Sequence, residues 1–416
     1  MVLKVFLLLV LIGSVLSNSW EGVKVELINE KYESCRVNEI AAANRAFALD
    51  LFHQIAETDG PDENILISPL VISMGLSMIL MGTNGNTAQE LRQVLRYNET
   101  LDNYVPFYCI YERYENLGPL ITLRTASKLF GAKTENFLDT FLGKTAFFGA
   151  KMERVDFEND GENTRQAINE WVAVQTSNHI SELFQPDSIS PLTRLILVSA
   201  IYFEAFWKTP FETKFTSPFV VSDDVQIPDQ PFMDQRFDIK VYYDEDTDLY
   251  FLDLPYKSGA RDPEVSMMLV YDDKKRPYVE TGKRLTSETL SRVMERLQAE
   301  RLTDAIVSLP IFEMTVEKDM VSYLQSMGIE SLFMNGQADL SGMNGMRNLF
   351  IEGAKHKTFI RVDQNGTVAA GVFEASAIFL SLPFYAVFNH PFHFMLWERQ
   401  TNNILFMGRL VNPSLP

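Results

Sequence analysis

The side chains that most often perform catalysis or bind metal ions are few in this chain. It has five histidines and two cysteines, which are His53, His179, His356, His390, His393, Cys35 and Cys109. No H-E-x-x-H pair occurs, and no cysteine is near a histidine in the sequence, which argues against a zinc site. His390 and His393 lie three apart in an apolar run that is more typical of a β-strand than of a metal site. Neither G-x-S-x-G nor G-x-x-x-x-G-K-S/T is present, so the sequence gives no sign of an enzyme, a metal site or a cofactor.

The first residues predict a secretion signal. Met1–Lys4 is a short basic start, Val5–Ile12 is a continuous apolar run, and small or modest side chains lead up to Ser17. The apolar run is too short to span a bilayer. Residues 1–17 are therefore interpreted as a cleaved signal peptide, and the alternative is a membrane-tethering helix. We expect a secreted, extracellular protein.

The net charge of −18 is spread along the whole chain rather than concentrated in one tail. Such a surface disfavours nucleic acid and anionic membranes as partners. The length of 416 residues could accommodate two ordinary domains. However, no linker, repeat or low-complexity tract interrupts the mixture of helical and strand patterns. One large mixed domain is at least as well supported as two.

A buried helix with clear boundaries is predicted in the first part of the chain. Ile65–Ile67 reads as a short apolar strand, and Ser68 is placed to cap the helix that follows it. Pro69 falls in the first turn, where a missing N–H does no harm. The next residues are apolar on nearly every side, which is typical of a helix that is buried all round. Gly82 marks the expected end of the helix.

The run from residue 64 to 91 resembles the first strand and central helix of the serpin family, and further serpin-like motifs follow in the family's order. They are INEWV at 168–172, LVSAIYFEAFW at 197–207, LPY at 254–256, SMM at 266–268, ADLSG at 338–342, FNHPF at 388–392 and FMG at 406–408. The resemblance covers about residues 38–413. It implies an α+β serpin fold of three β-sheets and eight or nine helices, with an exposed reactive-centre loop at about 364–383. Residues 18–37 then form an N-terminal segment, and 38–416 form a single domain.

The resemblance also implies roles for individual residues. It places the shutter, where the strands of the central sheet must part, at Ser68, Ser199 and His356, and the breach at Trp207. Val71, Ser199 and Ala205 stand where the family usually has serine, asparagine and glycine. A serine at 199 can still donate or accept a hydrogen bond opposite the histidine. These departures leave the predicted fold intact and concern the ease with which the sheet opens.

The segment Asn365–Ser381 reads NGTVAAGVFEASAIFLS and is rich in small residues. Composition alone would predict a flexible loop or a weak helix. Extended as a strand, the segment would have one uncharged face that starts at Thr367, and its one charge, Glu374, would lie on the other face. Phe373 departs from the family's preference for a small side chain and needs extra room. The resemblance identifies the hinge of an inhibitory loop as Gly366, Thr367, Val368, Ala369, Ala370 and Gly371.

The family's spacing implies that the scissile bond is Leu380–Ser381, counted from the hinge and also back from FNHPF. Leucine requires an apolar primary pocket, so the expected partner is an extracellular serine protease of the chymotrypsin, cathepsin G or elastase type. No lysine or arginine occurs from Gln364 to Phe388. The predicted activity is inhibition by cleavage of the loop and its insertion into the central sheet, which is the established behaviour of inhibitory serpins.

A second interpretation is a serpin that binds without covalent trapping. It would act as a carrier, as a chaperone, or as an exosite-driven reversible inhibitor, including one of clotting or immune-cascade proteases. The departures Phe373, Val71 and Ser199 favour it. A hydrolase is a third interpretation. A protease complex that resists SDS separates the first interpretation from the second, and esterase activity that survives purification favours the third.

Heparin is not an expected partner. The segment Leu101–Leu117, where the family's activating helix falls, carries three acidic residues against Arg113 alone. Glycosaminoglycan sites need clustered cations. We expect a monomer that uses no cofactor.

Covalent modification is expected at two places in a secreted chain. Cys35 and Cys109 could pair or could both stay free in an oxidising compartment, and the resemblance to antithrombin-like serpins implies that they pair. Asn98 starts an acceptor sequon in a polar stretch, so we expect it to carry a glycan. Asn365 starts a second sequon, but a sugar at the base of the loop would crowd the strands, so we expect it to be a poor acceptor.

Overall fold

The structure is a computed structural model that describes most of the chain from Cys35 onward. The described residues are 35–98, 105–115, 120–148, 152–259, 262–366 and 382–415. The predicted signal peptide at 1–17 and the N-terminal segment up to residue 34 lie outside them. Both assignments remain predictions from the sequence.

Ten α-helices occur in the described residues, against the eight or nine expected. They are α1 Val37–Asp59, α2 Pro69–Leu80, α3 Gly85–Val94, α4 Val105–Glu115, α5 Asp139–Thr145, α6 Gly161–Gln175, α7 Tyr278–Lys283, α8 Ser287–Ala299, α9 Met320–Ser326 and α10 Ser341–Asn344. The larger count reflects short helices, since α7, α9 and α10 have between four and seven residues each. Within the part of the chain that the structure describes, no helix has an apolar run long enough to cross a membrane.

Fourteen β-strands form two hydrogen-bonded sheets in the described ranges. They are β1 Ile65–Ile67, β2 Ile121–Ala132, β3 Glu153–Val155, β4 Leu195–Ala205, β5 Thr213–Val220, β6 Gln226–Asp244, β7 Leu249–Pro255, β8 Val265–Tyr271, β9 Leu302–Pro310, β10 Phe312–Asp319, β11 Gly353–Val362, β12 Phe384–Val387, β13 Phe392–Glu398 and β14 Asn403–Leu410. The five-stranded sheet has the order β10–β11–β4–β2–β3. The nine-stranded sheet has the order β1–β14–β13–β8–β7–β6–β9–β12, with β5 also paired to β6.

Strand β6 explains why the structure has two hydrogen-bonded sheets where three were expected. This strand has 19 residues. It pairs with β5 between Gln226 and Asp234, with β9 between Phe232 and Lys240, and with β7 from Lys240 to Asp244. One continuous strand therefore carries hydrogen bonding from one expected sheet into the next. The α+β architecture agrees with the prediction.

Helix α2 joins the two sheets into one core. Ser68 caps its N-terminus by accepting a hydrogen bond from Val71 N at 3.5 Å, and Pro69 is its first residue, as the sequence predicts. All 12 residues of the helix are buried, because it packs against β2 and β4 on one side and β14 on the other. The helix ends at Leu80, two residues before the glycine that was expected to mark its end.

Helix α6 covers the opposite face of the five-stranded sheet. Its buried residues Ile168 and Val172 join a second apolar cluster with side chains from β2 and β4. This face is therefore covered by a helix and the segment that follows it, while α2 covers the inner face.

Candidate functional site

Strands β4 and β11 are parallel neighbours in the five-stranded sheet. They pair over seven residue pairs that end at Tyr202 with Phe359. Both strands continue for three more residues, to Ala205 and Val362, without pairing with each other. We call this end, where β11 leads into the predicted loop, the upper end of the sheet. The seam between β4 and β11 is therefore open at its upper end.

A tight turn starts the predicted loop directly beside this opening. Asp363 N donates to Gly366 O at 3.0 Å, and Gly366 N donates to Asp363 O at 3.3 Å. Gly366 has a φ of +133°, and a Cβ atom there would lie 2.2 Å from the carbonyl oxygen of Ala205. Only glycine fits this backbone position, which accounts for the glycine at the first residue of the hinge.

Trp207 fastens this turn to the end of β4. Its indole Nε1 donates to Asp363 O at 2.9 Å, and its backbone N donates to Asn365 O at 3.0 Å. The indole ring stacks on Tyr256 with the ring centroids 4.4 Å apart and 10° between the planes. The predicted breach residue therefore lies at the mouth of the seam and holds the first residues of the loop. Asp363 and Tyr256 were not assigned from the sequence, although the LPY motif that contains Tyr256 was an available signal.

Most of the predicted loop lies outside the described residues. This applies to Thr367, Val368, Ala369, Ala370, Gly371, Leu380 and Ser381. The chain is described again from Leu382, whose side chain is 93% exposed, and it then enters β12, which pairs in parallel with β9. A segment of 15 residues thus connects the upper end of the five-stranded sheet with the edge of the nine-stranded sheet.

The predicted shutter residues meet beneath the same seam. His356 is fully buried and pairs with Ser199 across the seam. Its Nε2 accepts a hydrogen bond from Ser68 N at 3.1 Å, and its Nδ1 donates to Ser199 O at 3.1 Å. A backbone N–H can only donate, so the proton of the neutral ring sits on Nδ1. Burial lowers the pKa of His356 to about 4, so the ring is neutral at physiological pH.

The Ser199 side chain is able to donate or accept a hydrogen bond, but in the structure it makes none with His356. The Ser199 Oγ is buried and has no hydrogen-bond partner among the described residues. The backbone carbonyl of Ser199 already serves the ring of His356. The hydroxyl ends one atom beyond Cβ, whereas the amide of the family's usual asparagine reaches further. Ser127, directly opposite on β2, has a buried Oγ that is likewise unpaired in the described structure.

A disulfide joins Cys35 to Cys109, with their Cα atoms 6.2 Å apart. It ties the start of α1 to α4, the helix in the segment considered for heparin. Arg113 on the same helix forms an ion pair with the buried Glu398, and Tyr114 Oη donates to Glu398 Oε2 at 2.9 Å. The one cation of that segment therefore has an intramolecular partner.

The two sequons differ in their surroundings. Asn98 follows α3 and is exposed, while the next two residues of its sequon lie outside the described residues. Asn365 is half-buried, and its backbone N–H donates to Asp363 Oδ1 at 2.9 Å. Glycosylation of Asn98 and poor acceptance at Asn365 both remain predictions.

The other histidines that the sequence offered for a metal site lie on different elements of the fold. His393 is buried in β13, as the strand interpretation predicts, whereas His390 lies just before that strand. His53 Nε2 is 3.1 Å from Gly282 O. In the described ranges, no three or more His, Cys, Asp or Glu side chains are grouped so that they could hold a metal ion.

Comparison with known proteins identifies the class to which this fold and seam belong. Residues 42–413 match the family model described as Serpin (serine protease inhibitor). The chain is 35% identical over 387 residues to the leukocyte elastase inhibitor of Equus caballus, which covers 91% of this chain and 100% of that protein. The chain belongs to the serpin family.

Solved structures confirm the serpin fold that the motifs imply. Human thyroxine-binding globulin, complexed with thyroxine, superimposes with a TM-score of 0.80 at 26% identity, covering 91% of this chain and 99% of that chain. Human glycosylated kallistatin also gives a TM-score of 0.80, at 27% identity, with 91% of this chain and 99% of that chain covered.

Proposed function

We propose that this protein is a secreted inhibitor of serine proteases that acts by inserting its reactive-centre loop between β4 and β11. The observation that carries the proposal is the position of the first loop residues. The turn from Asp363 to Gly366 lies at the open upper end of the seam and is bonded to the end of β4 through Trp207. The similarity to a leukocyte elastase inhibitor supports a protease as the partner.

The directions of the strands favour insertion at this seam. Strands β11 and β4 are parallel, and a segment that leaves β11 through a tight turn runs back antiparallel to both. Insertion replaces one parallel ladder by two antiparallel ladders, which are slightly more stable per residue. About twelve new backbone pairs at roughly 0.5–1.5 kcal/mol each supply the driving force.

Covalent trapping follows from cleavage of the loop. The serine Oγ of the protease bonds to the carbonyl carbon of Leu380, and the peptide bond to Ser381 breaks. The histidine of the protease passes the serine proton to the new Ser381 amine. Leu380 is then held as an ester, and insertion carries the bound protease away from Ser381 before water hydrolyses that ester. All catalytic groups in this scheme belong to the protease, so the inhibitor is not an enzyme.

Target preference and location complete the proposal. Leucine at 380 favours proteases with an apolar primary pocket, and no basic residue lies between Gln364 and Phe388. Secretion rests on the signal-like residues 1–17. The Cys35–Cys109 disulfide supports it, because such bonds persist in oxidising compartments.

The test is separate incubation with chymotrypsin, with a leukocyte elastase and with trypsin, followed by SDS gel electrophoresis and mass spectrometry. We expect a band that contains both proteins and survives boiling in SDS, together with a released peptide that begins at Ser381. Cleavage at that bond without a covalent complex would contradict trapping. Formation of the complex with a trypsin-like protease alone would contradict the apolar preference.

The similarity to thyroxine-binding globulin supports a second candidate, a serpin that binds without trapping. The Ser199 Oγ, which has no partner among the described residues, and the large Phe373 both bear on the ease of loop insertion. Both features favour a serpin that binds without trapping. On this alternative, cleavage of the loop leaves the sheet unchanged. The same incubation distinguishes the two candidates, since only the first yields the SDS-resistant band.

A further inference from the structure

The segment that follows helix α6 lies across the seam between β4 and β11 on the outer face of the sheet. We call residues 176–184 the crossing segment. It is tied to α6 by Asn169, whose Oδ1 accepts hydrogen bonds from Leu183 N at 3.0 Å and Phe184 N at 2.9 Å. Asn169 Nδ2 also donates to Phe184 O at 2.9 Å. The crossing segment is therefore bonded to the helix as well as packed on the strands beneath it.

His179 in the crossing segment contacts both strands of the seam with one ring. Its imidazole lies flat on the ring of Tyr202 from β4, with the centroids 4.2 Å apart and 9° between the planes. The same imidazole is 4.8 Å from the ring of Phe359 on β11, with 32° between the planes. Tyr202 and Phe359 are the last residues that pair across the seam. His179 therefore lies where the closed part of the sheet ends.

A second contact attaches the same segment to β11. Lys357 Nζ donates to Glu182 O at 2.6 Å and to Glu317 Oε2 at 3.0 Å. This contact reaches only the β11 side of the seam and the neighbouring β10. The ring of His179 contacts β4 and β11 together, through Tyr202 and Phe359.

We propose that His179 acts as a latch that keeps β4 and β11 together until a strand enters between them. Neighbouring strands lie about 4.8 Å apart, so an inserted strand moves β4 and β11 to about twice that separation. One imidazole cannot then stack on both Tyr202 and Phe359. Opening costs the interaction with at least one ring, and aromatic pairs contribute beyond their buried area. The latch rests on the proposed function, because it resists the insertion step of that mechanism.

The test measures insertion without any protease. The probe is a fluorescein-labelled synthetic peptide with the sequence of residues 367–380, and the readout is the rate at which label stays with the protein in gel filtration. We expect the His179→Ala variant to take up the peptide about tenfold faster than the wild type, because one or both ring contacts no longer oppose opening. His179→Phe keeps a ring at this position and should return the rate towards that of the wild type.

Val174→Ala is the matched control, because its side chain on α6 is 66% exposed. It should take up the peptide at the wild-type rate. Equal rates for the wild type and His179→Ala would overturn the latch while leaving the insertion mechanism intact. A rate for His179→Phe as high as that of His179→Ala would also overturn it, since stacking would then not be the cause. Absence of peptide uptake by the wild type would overturn the proposed function and the latch together.

Discussion

The seam between β4 and β11 and the β13–β14 pair of the nine-stranded sheet are built differently. Strands β13 and β14 are antiparallel, pair along their length and have every side chain buried. The indole of Trp397 there donates to Asp253 Oδ1 at 3.0 Å. The seam is parallel, stops pairing at Tyr202 and Phe359, and has an unpaired hydroxyl at Ser199. On the proposed mechanism, the seam is the line along which the sheet opens, and the β13–β14 pair holds the fold together while it does so.

The largest effect on inhibition is expected from a change at the residue that decides which protease can cleave the loop. Leu380→Arg should move inhibition from chymotrypsin-like to trypsin-like proteases by orders of magnitude, because primary pockets discriminate by charge and size. The measurement is the rate of complex formation with each protease. An unchanged rate with the original target would show that the loop assignment is wrong or that contacts outside the loop dominate.

The stability of the β13–β14 pair should depend strongly on the packing of its buried side chains. Leu396→Ala in β13 removes a fully buried side chain and should lower the free energy of unfolding by about 2–5 kcal/mol. Leu302→Ala is the control, since that leucine is 65% exposed and its loss should change little. Denaturant unfolding gives both values. Similar losses for the two variants would contradict the contrast between the core of the fold and its surface.

The histidine under the seam should make stability depend on pH. Burial lowers the pKa of His356 to about 4 from 6.5, so folding favours the neutral ring. Its contribution is complete above about pH 6.5 and is lost as the pH falls from there towards about 4. Between about pH 7.5 and pH 5, the wild type should lose about 2 kcal/mol more than His356→Asn. Equal losses of stability for the two proteins would contradict the lowered pKa of His356. His393 acts in the same direction, because burial lowers its pKa to about 3, and it is common to both proteins.

The smallest change in stability is expected from a substitution at Ser199, inside the seam. Ser199→Ala removes a buried hydroxyl that has no partner among the described residues, so stability should stay unchanged or rise by up to about 1 kcal/mol. Ser68→Ala is the matched control, because its Oγ donates to Leu405 O at 2.7 Å and caps α2. That variant should lose about 1–2 kcal/mol. A comparable loss for Ser199→Ala would mean that its hydroxyl has a partner after all.

The start of helix α2 and its burial were predictable from the sequence, because they depend on capping residues and on the apolar pattern of neighbouring residues. Ser68 and Pro69 set the start of α2, and its apolar surface required burial between two layers. The contact of Trp207 with Asp363 joins residues 156 apart in the chain. The family resemblance pointed to Trp207 as the breach residue, but it did not name Asp363 as the partner. Ser199 lies opposite His356 as the resemblance implies, but the sequence does not show that its backbone carbonyl, rather than its side chain, bonds to the ring. The stacking of His179 depends on the path of a whole segment, which no short pattern encodes.

The central claim is that the seam accepts the loop as a strand, and thermal unfolding before and after a single cut in the loop tests it most directly. The intact protein and the protein cut at Leu380–Ser381 would be compared at the same concentration and pH. About twelve new backbone pairs should raise the midpoint of unfolding by on the order of 10 °C or more. A midpoint that stays unchanged or falls after the cut would contradict insertion between β4 and β11.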